Sequence, residues 1–172
     1  PAAVGRIAVV SGSVTFRAGN DQPASAAVLN YPLSLGNVVA TAPRAHATID
    51  IGAGRFYLDG DSELRIGQLT DGSAAVTLPS GAVILHVLPG GEGQVFNVET
   101  SAGRMRVDQP GYYEVEAGEG TQPTTVSALE GGAQFTLGPD EEHILHPGQR
   151  LSRASGSAPK IDAVAQDDFI RR

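Results

Sequence analysis

Residues 45–51, Ala45-His46-Ala47-Thr48-Ile49-Asp50-Ile51, alternate small or apolar side chains with polar ones. Successive side chains on a strand point to opposite faces. Ala47, Ile49 and Ile51 therefore share one side, and His46, Thr48 and Asp50 the other. Such a segment belongs to a sheet with one buried and one wet face. Working outward, the same alternation recurs at 6–10, 13–17, 37–41, 55–58, 63–69, 74–78, 82–88, 94–99, 103–107, 112–116, 124–129, 133–137, 142–145 and 149–153. Ser-Gly, Asp-Gly, Gly-Asp or Pro-Gly pairs separate most of these pieces, which predicts hairpin connections and antiparallel pairing. The expected fold is all-β: an antiparallel, jelly-roll-like β-sandwich of many short strands over 1–153. Turn glycines are expected at Gly12, Gly36, Gly60, Gly81, Gly111, Gly131 and Gly148.

The tail, 154–172, reads differently. A small-residue linker precedes Pro159, and Ile161, Val164, Ala165 and Phe169 then fall at i, i+3, i+4 and i+8. That spacing predicts a short amphipathic helix, which must dock on the domain or on a partner because it is too short to persist alone. Ile161, Val164 and Phe169 are thus candidate contact residues. Tyr112 and Tyr113 are two more, and because they are adjacent only one can face any given surface.

Composition narrows the function. The 172 residues carry 19 acids and 12 bases, a net charge of −7, with a single lysine and no cluster of arginines. Phosphate recognition needs clustered cations, so neither nucleic acid nor an anionic membrane is an expected partner. The chain has no Cys and no Trp, which removes thiol chemistry and the strongest platform for sugar stacking. Residues 22–43 lack any charge, yet Pro23, Asn30, Pro32, Gly36 and Asn37 divide them into strand-sized pieces, and no membrane insertion is expected. No signal peptide is expected within the stretch from Pro1-Ala2-Ala3, which lacks a charged region and an apolar run; a mature chain after cleavage would read the same.

No nucleophile, zinc or dinucleotide motif stands in its structural context, and no catalytic residue, metal or cofactor is expected. Asp59-Gly60-Asp61-Ser62-Glu63 begins like a calcium loop, but Leu64 and Thr70 occupy the positions that need Gly and Glu. Asp140, Glu141, Glu142, His143 and His146 gather acids with two histidines. On one strand His143 and His146 would point to opposite faces, so an acidic turn is the expectation there. Glu114 and Glu116 share a strand face and would matter to hydrolysis only inside a cleft.

Taken in order, several segments resemble the FecR-type domain. They are Leu33-Ser34-Leu35-Gly36-Asn37-Val38-Val39-Ala40-Thr41, Ala47–Ile51 and Phe56–Leu64. Leu78-Pro79-Ser80-Gly81-Ala82-Val83, Phe96–Ser101, Gln109–Val115, Leu129–Ala133 and Pro147-Gly148-Gln149 continue the series. Asn37 stands where that family usually has Asp, and Ser101 where it has Pro. The resemblance covers 4–151 and implies a β-rich periplasmic or secreted module of the Gram-negative envelope. Such a module acts by protein contact, in some members as a sensor that signals to a sigma factor across the membrane. That transmission needs a spanning helix and an N-terminal helical region, neither of which this stretch contains. Asp168-Phe169-Ile170 is similar to the helical segment after secreted FecR-like domains. The expected function is a non-enzymatic protein-interaction module, with an envelope protein as partner and self-association possible. The alternative is a structural or glycan-associated module built into a larger surface assembly.

Overall fold

The computed structural model describes residues 5–90, 93–118, 121–138, 141–154 and 156–164. The first half contains β1 (Gly5–Ser11), β2 (Val14–Arg17), β3 (Ser25–Ala26), β4 (Pro32–Leu33), β5 (Val38–Thr41), β6 (His46–Ile51), β7 (Gly54–Leu58) and β8 (Glu63–Leu69). A long central strand follows, β9 (Ser73–Val87). The second half contains β10 (Val95–Thr100), β11 (Gly103–Val107), β12 (Gly111–Ala117), β13 (Thr124–Glu130), β14 (Ala133–Gly138), β15 (Glu141–Leu145), β16 (Gln149–Arg153) and β17 (Lys160–Ala163). All are joined in one mixed sheet. There is no helix among the described residues, and so none long and apolar enough to cross a membrane.

The sheet has two arms that share β9. The first arm runs β4-β1-β6-β7-β9-β12-β13-β16-β17. The second runs β3-β2-β5-β8-β9-β10-β11-β14-β15. In each arm β9 is the middle strand, with first-half strands on one side and second-half strands on the other. The inward rows of both arms join in one core cluster. Phe56 of the first arm meets Phe96 of the second edge-on, with centroids 6.2 Å apart.

The crossover between arms sits at Gly81. Up to Ser80, β9 pairs with β8 and β10; from Gly81 onward it pairs with β7 and β12. The sequence suggested two strands, 74–78 and 82–88, with a reversing turn between them. Instead the chain bends and continues, because Gly81 takes φ +89° and lies directly against Ser62. Ser62 Oγ accepts from Ala82 N–H at 3.0 Å and donates to Gly60 O at 2.9 Å. Thr41 Oγ1 accepts from Ser62 N–H at 3.0 Å and donates to Asp59 O at 2.5 Å. A second departure follows from this crossover. β10 returns to the second arm beside the first part of β9 and pairs with it in parallel, where only antiparallel pairs were expected.

The tail departs most. Lys160–Ala163 is a strand paired antiparallel with β16, not the start of a helix. A three-turn helix has little stability of its own, whereas the open edge of β16 offers a row of main-chain donors and acceptors. Ile161, placed opposite Leu151, satisfies a strand's inward register as readily as a helical stripe. Ala165 and Phe169 lie outside the described residues.

Asn37 pins the entry to β5. Its Oδ1 accepts from Ser34 N–H at 2.8 Å, and its Nδ2 donates to Ala18 O at 3.0 Å. An aspartate could keep the first bond but would set a carboxylate against a carbonyl in place of the second. Asn37→Asp should therefore destabilise the protein by about 1–3 kcal/mol in urea unfolding. Gly81→Ala should cost more, at least about 2 kcal/mol, since the left-handed backbone at this position disfavours a Cβ, which would also lie 2.0 Å from Ser62 Oγ. A Gly81→Ala protein with an unchanged urea midpoint would contradict this account of the crossover.

Candidate interaction surface

The outward positions of the first arm form a transverse ladder. Arg6, Asp50, Arg55, His86, Tyr112 and Glu130 are successive register partners across β1, β6, β7, β9, β12 and β13. Arg55 Nε donates to Asp50 Oδ1 at 2.8 Å, and Arg6 reaches Asp50 Oδ2 at 3.4 Å. The ladder then turns aromatic: the His86 and Tyr112 rings stack with centroids 3.9 Å apart and planes 9° from parallel. Burial under this stack pushes the His86 pKa down, Arg55 pushes it further, and Glu130 opposes both.

At its other end the ladder meets an apolar ledge. Arg6 Nη1 donates to Asn30 Oδ1 at 2.9 Å, and Asn30 takes φ +68°. Asn30 N–H donates to Ile7 O at 2.7 Å, and Ile7 N–H donates to Tyr31 O at 3.1 Å. These bonds fasten the turn to β1 from both sides. Val28, Leu29 (54 % exposed) and Tyr31 project from it, and Leu35 (72 % exposed) follows before β5. Tyr31 also leans on Phe16 at 4.8 Å. Eight large apolar side chains are exposed among the described residues, and half of them fall in 28–35. Apolar surface fixed by main-chain bonds and free of charge has the character of a protein contact.

The residues singled out from sequence are dispersed. Tyr112 lies on the outward ladder. Tyr113, expected as a contact residue, is instead fully buried, because the inward register of β12 points it into the core. Its hydroxyl donates to Gln109 O at 2.9 Å, and burial, aided by Asp108, raises its pKa to about 12. Ile161 is exposed on β17, and Val164 donates its N–H to Gly148 O at 2.7 Å. Phe169 lies outside the described residues. Gly12, Gly36, Gly111, Gly131 and Gly148 all have positive φ. Gly60 does not. It is instead wedged 2.9 Å, by its absent Cβ, from Arg44 N.

Several of the acidic groups singled out from sequence are engaged structurally. Asp59 Oδ1 accepts from Gly60 N–H, and Glu63 pairs with Arg17 at 3.2 Å, so they do not converge on one cation. His143 pairs with Glu141 on β15, whereas His146 lies past the end of that strand on the rim of a groove of about 280 Å³. No group of three metal-binding side chains exists among the described residues. Glu114 is buried and Glu116 exposed, and neither lines that groove. The sequence motifs do not point to the ledge; its one signal there is the uncharged run 22–43, which composition reads only as a candidate membrane span.

Fold comparison places the chain beside two crystal structures, at 2.50 and 1.65 Å resolution, described as a "putative anti-sigma factor from Parabacteroides distasonis ATCC 8503". Each matches with a TM-score of 0.67, at 16% and 15% identity respectively, over 77% of this chain. The chain spans 62% of the length of those structures. No family model and no curated protein matches it.

The ladder gives a pH prediction. An unfolded histidine titrates near 6.5. His86 titrates lower in the fold, so below about 6.5 the unfolded chain binds more protons there. The stability contributed by neutral His86 should be complete above that pH and fall as the pH drops toward the folded pKa. In NMR titration the His86 midpoint should lie below 6.5, and Arg55→Gln should raise it. A midpoint at or above 6.5 would refute the assignment.

Proposed function

We propose that this chain is a FecR-type regulatory module that acts by binding a protein partner and catalyses no reaction. The reading takes the two-armed sheet as a β-sandwich of the jelly-roll kind. It places the module in the Gram-negative periplasm or outside the cell. The order of FecR-like segments along the sequence supports it. So does the shared fold with a protein described as an anti-sigma factor, a regulatory class that works through protein contact.

The observation that carries the proposal is the ledge at Val28, Leu29, Tyr31 and Leu35. It is apolar and uncharged, and it is fixed before any partner arrives: the 28–31 turn is clamped to β1, and the turn carrying Leu35 is held to β8 through Gly36 N–H and Ile66 O, so little ordering entropy opposes docking. The ladder from Arg6 to Tyr112 extends the same margin with polar and aromatic groups, the mixture found around an interface centre.

A photo-crosslinking residue at position 29 should capture one defined envelope protein in cells, and the same residue at Asp71 should not. Leu29→Asp with Leu35→Asp should reduce that capture at least tenfold while shifting unfolding by no more than about 0.5 kcal/mol, since both side chains are exposed. Equal crosslinking at positions 29 and 71, or capture untouched by the double substitution, would overturn the proposal.

A further inference from the structure

We propose that β17 is the contact strand of a twofold-symmetric dimer, the occupant of its open edge being the β17 of a second copy. This inference is independent of the ledge.

It begins with an apolar row that runs out of partners. Ala47, Leu58, Val83, Val115, Val126, Leu151 and Ile161 are successive inward register partners across the first arm. The first six are buried, whereas Ile161, the last, is 40 % exposed. No strand follows β17 in this arm among the described residues.

The main chain is arranged to accept one. Lys160 faces Ser152, Asp162 faces Arg150, and Val164 N–H donates to Gly148 O, all in one register. Lys160, Asp162 and Val164 therefore direct their N–H and C=O groups at β16. Ile161, of opposite parity, directs its own to the open edge. A second β17, antiparallel about an axis at Ile161, would make Ile161 and its copy a doubly hydrogen-bonded pair. Each Ala163 N–H would then meet the C=O of the copy's Pro159, where the missing proline N–H ends the ladder.

The side chains agree with that register. Lys160 of each chain falls opposite Asp162 of the other, in the non-hydrogen-bonded pairs where cross-strand side chains approach most closely. On the inward face the two Ile161 side chains meet and prolong the apolar row. The other terminal strands lack this self-complementarity. β3 and β4 have two residues each, and β15 carries Glu141 and Glu142 without Lys or Arg.

Four residues a side bury far less than the roughly 1,200–2,000 Å² of a standard interface, so the dimer forms weakly, with Kd on the order of 100 µM. Sedimentation equilibrium of the full chain up to about 1 mM, ten times that Kd, should show the weight-average mass rising toward the dimer. Lys160→Asp sets acid against acid at both pairs, and Asp162→Lys sets base against base. Each variant alone should associate at least tenfold more weakly. An equimolar mixture of the two variants restores both opposite-charge pairs and should associate at least as well as the unmodified chain. An unmodified chain that stays monomeric overturns the proposal. So do single variants that associate as the unmodified chain does, or a mixture that remains monomeric.

Discussion

Everything in this fold depends on β9 changing arms at Gly81. A strand that pairs on both sides in two successive arms must rotate its hydrogen-bonding plane without stopping. Here the rotation rests on one left-handed glycine lying against Ser62. Ser62 replaces what the bend removes from the ladder: it gives Ala82 N–H an acceptor and is itself held through Thr41 and Gly60. Once the bend is made, the rest follows. Strands of the first half add on one side of β9 and strands of the second half on the other, in both arms. The return of β10 beside the early part of β9 then makes that pair parallel, because the outgoing strand has left for the other arm.

The strands themselves were legible because alternation is a local property. Glu63–Leu69, Gly103–Val107 and Gln149–Arg153 coincide with their expected spans. What was not legible depends on distant neighbours. Pro79-Ser80-Gly81 looks the same whether the chain reverses or bends, and Ser62, nearly twenty residues upstream, decides which. Ile161 fits a helical stripe or a strand equally well, and the unfilled edge of β16 decides. Tyr112 and Tyr113 were equivalent as sequence. The inward register of β12 sends Tyr113 to the core and Tyr112 to the ladder, so only one of the pair is available to a partner.

Charge is handled by pairing, only partly through register. Arg6 and Arg55 share Asp50 and Arg104 meets Glu99 as register partners, whereas Arg17 reaches Glu63 off register and Arg106 pairs with Asp108 two residues along the chain. Exposed pairs of this kind add little stability. What they do is set each of these five arginines beside an acid. Uncharged surface is concentrated instead where the chain leaves the ladders, between β3 and β5.

The ledge and the β17 edge are thus consequences of one plan. With β9 at the centre of both arms, each arm has two ends, and those ends are where main chain and apolar side chains run out of internal partners. Two ends are blunted by brevity, since β3 and β4 have two residues each. A third, β15, is guarded by acids. The segment around β4 compensates for its short strand with side chain and turn bonds to β1, and in doing so it holds Val28, Leu29 and Tyr31 outward. At the fourth end, the inward apolar row reaches Ile161 on the last strand among the described residues. A sheet built outward from a central crossover places its unsatisfied surface at the periphery, which is where recognition by another chain is sterically open.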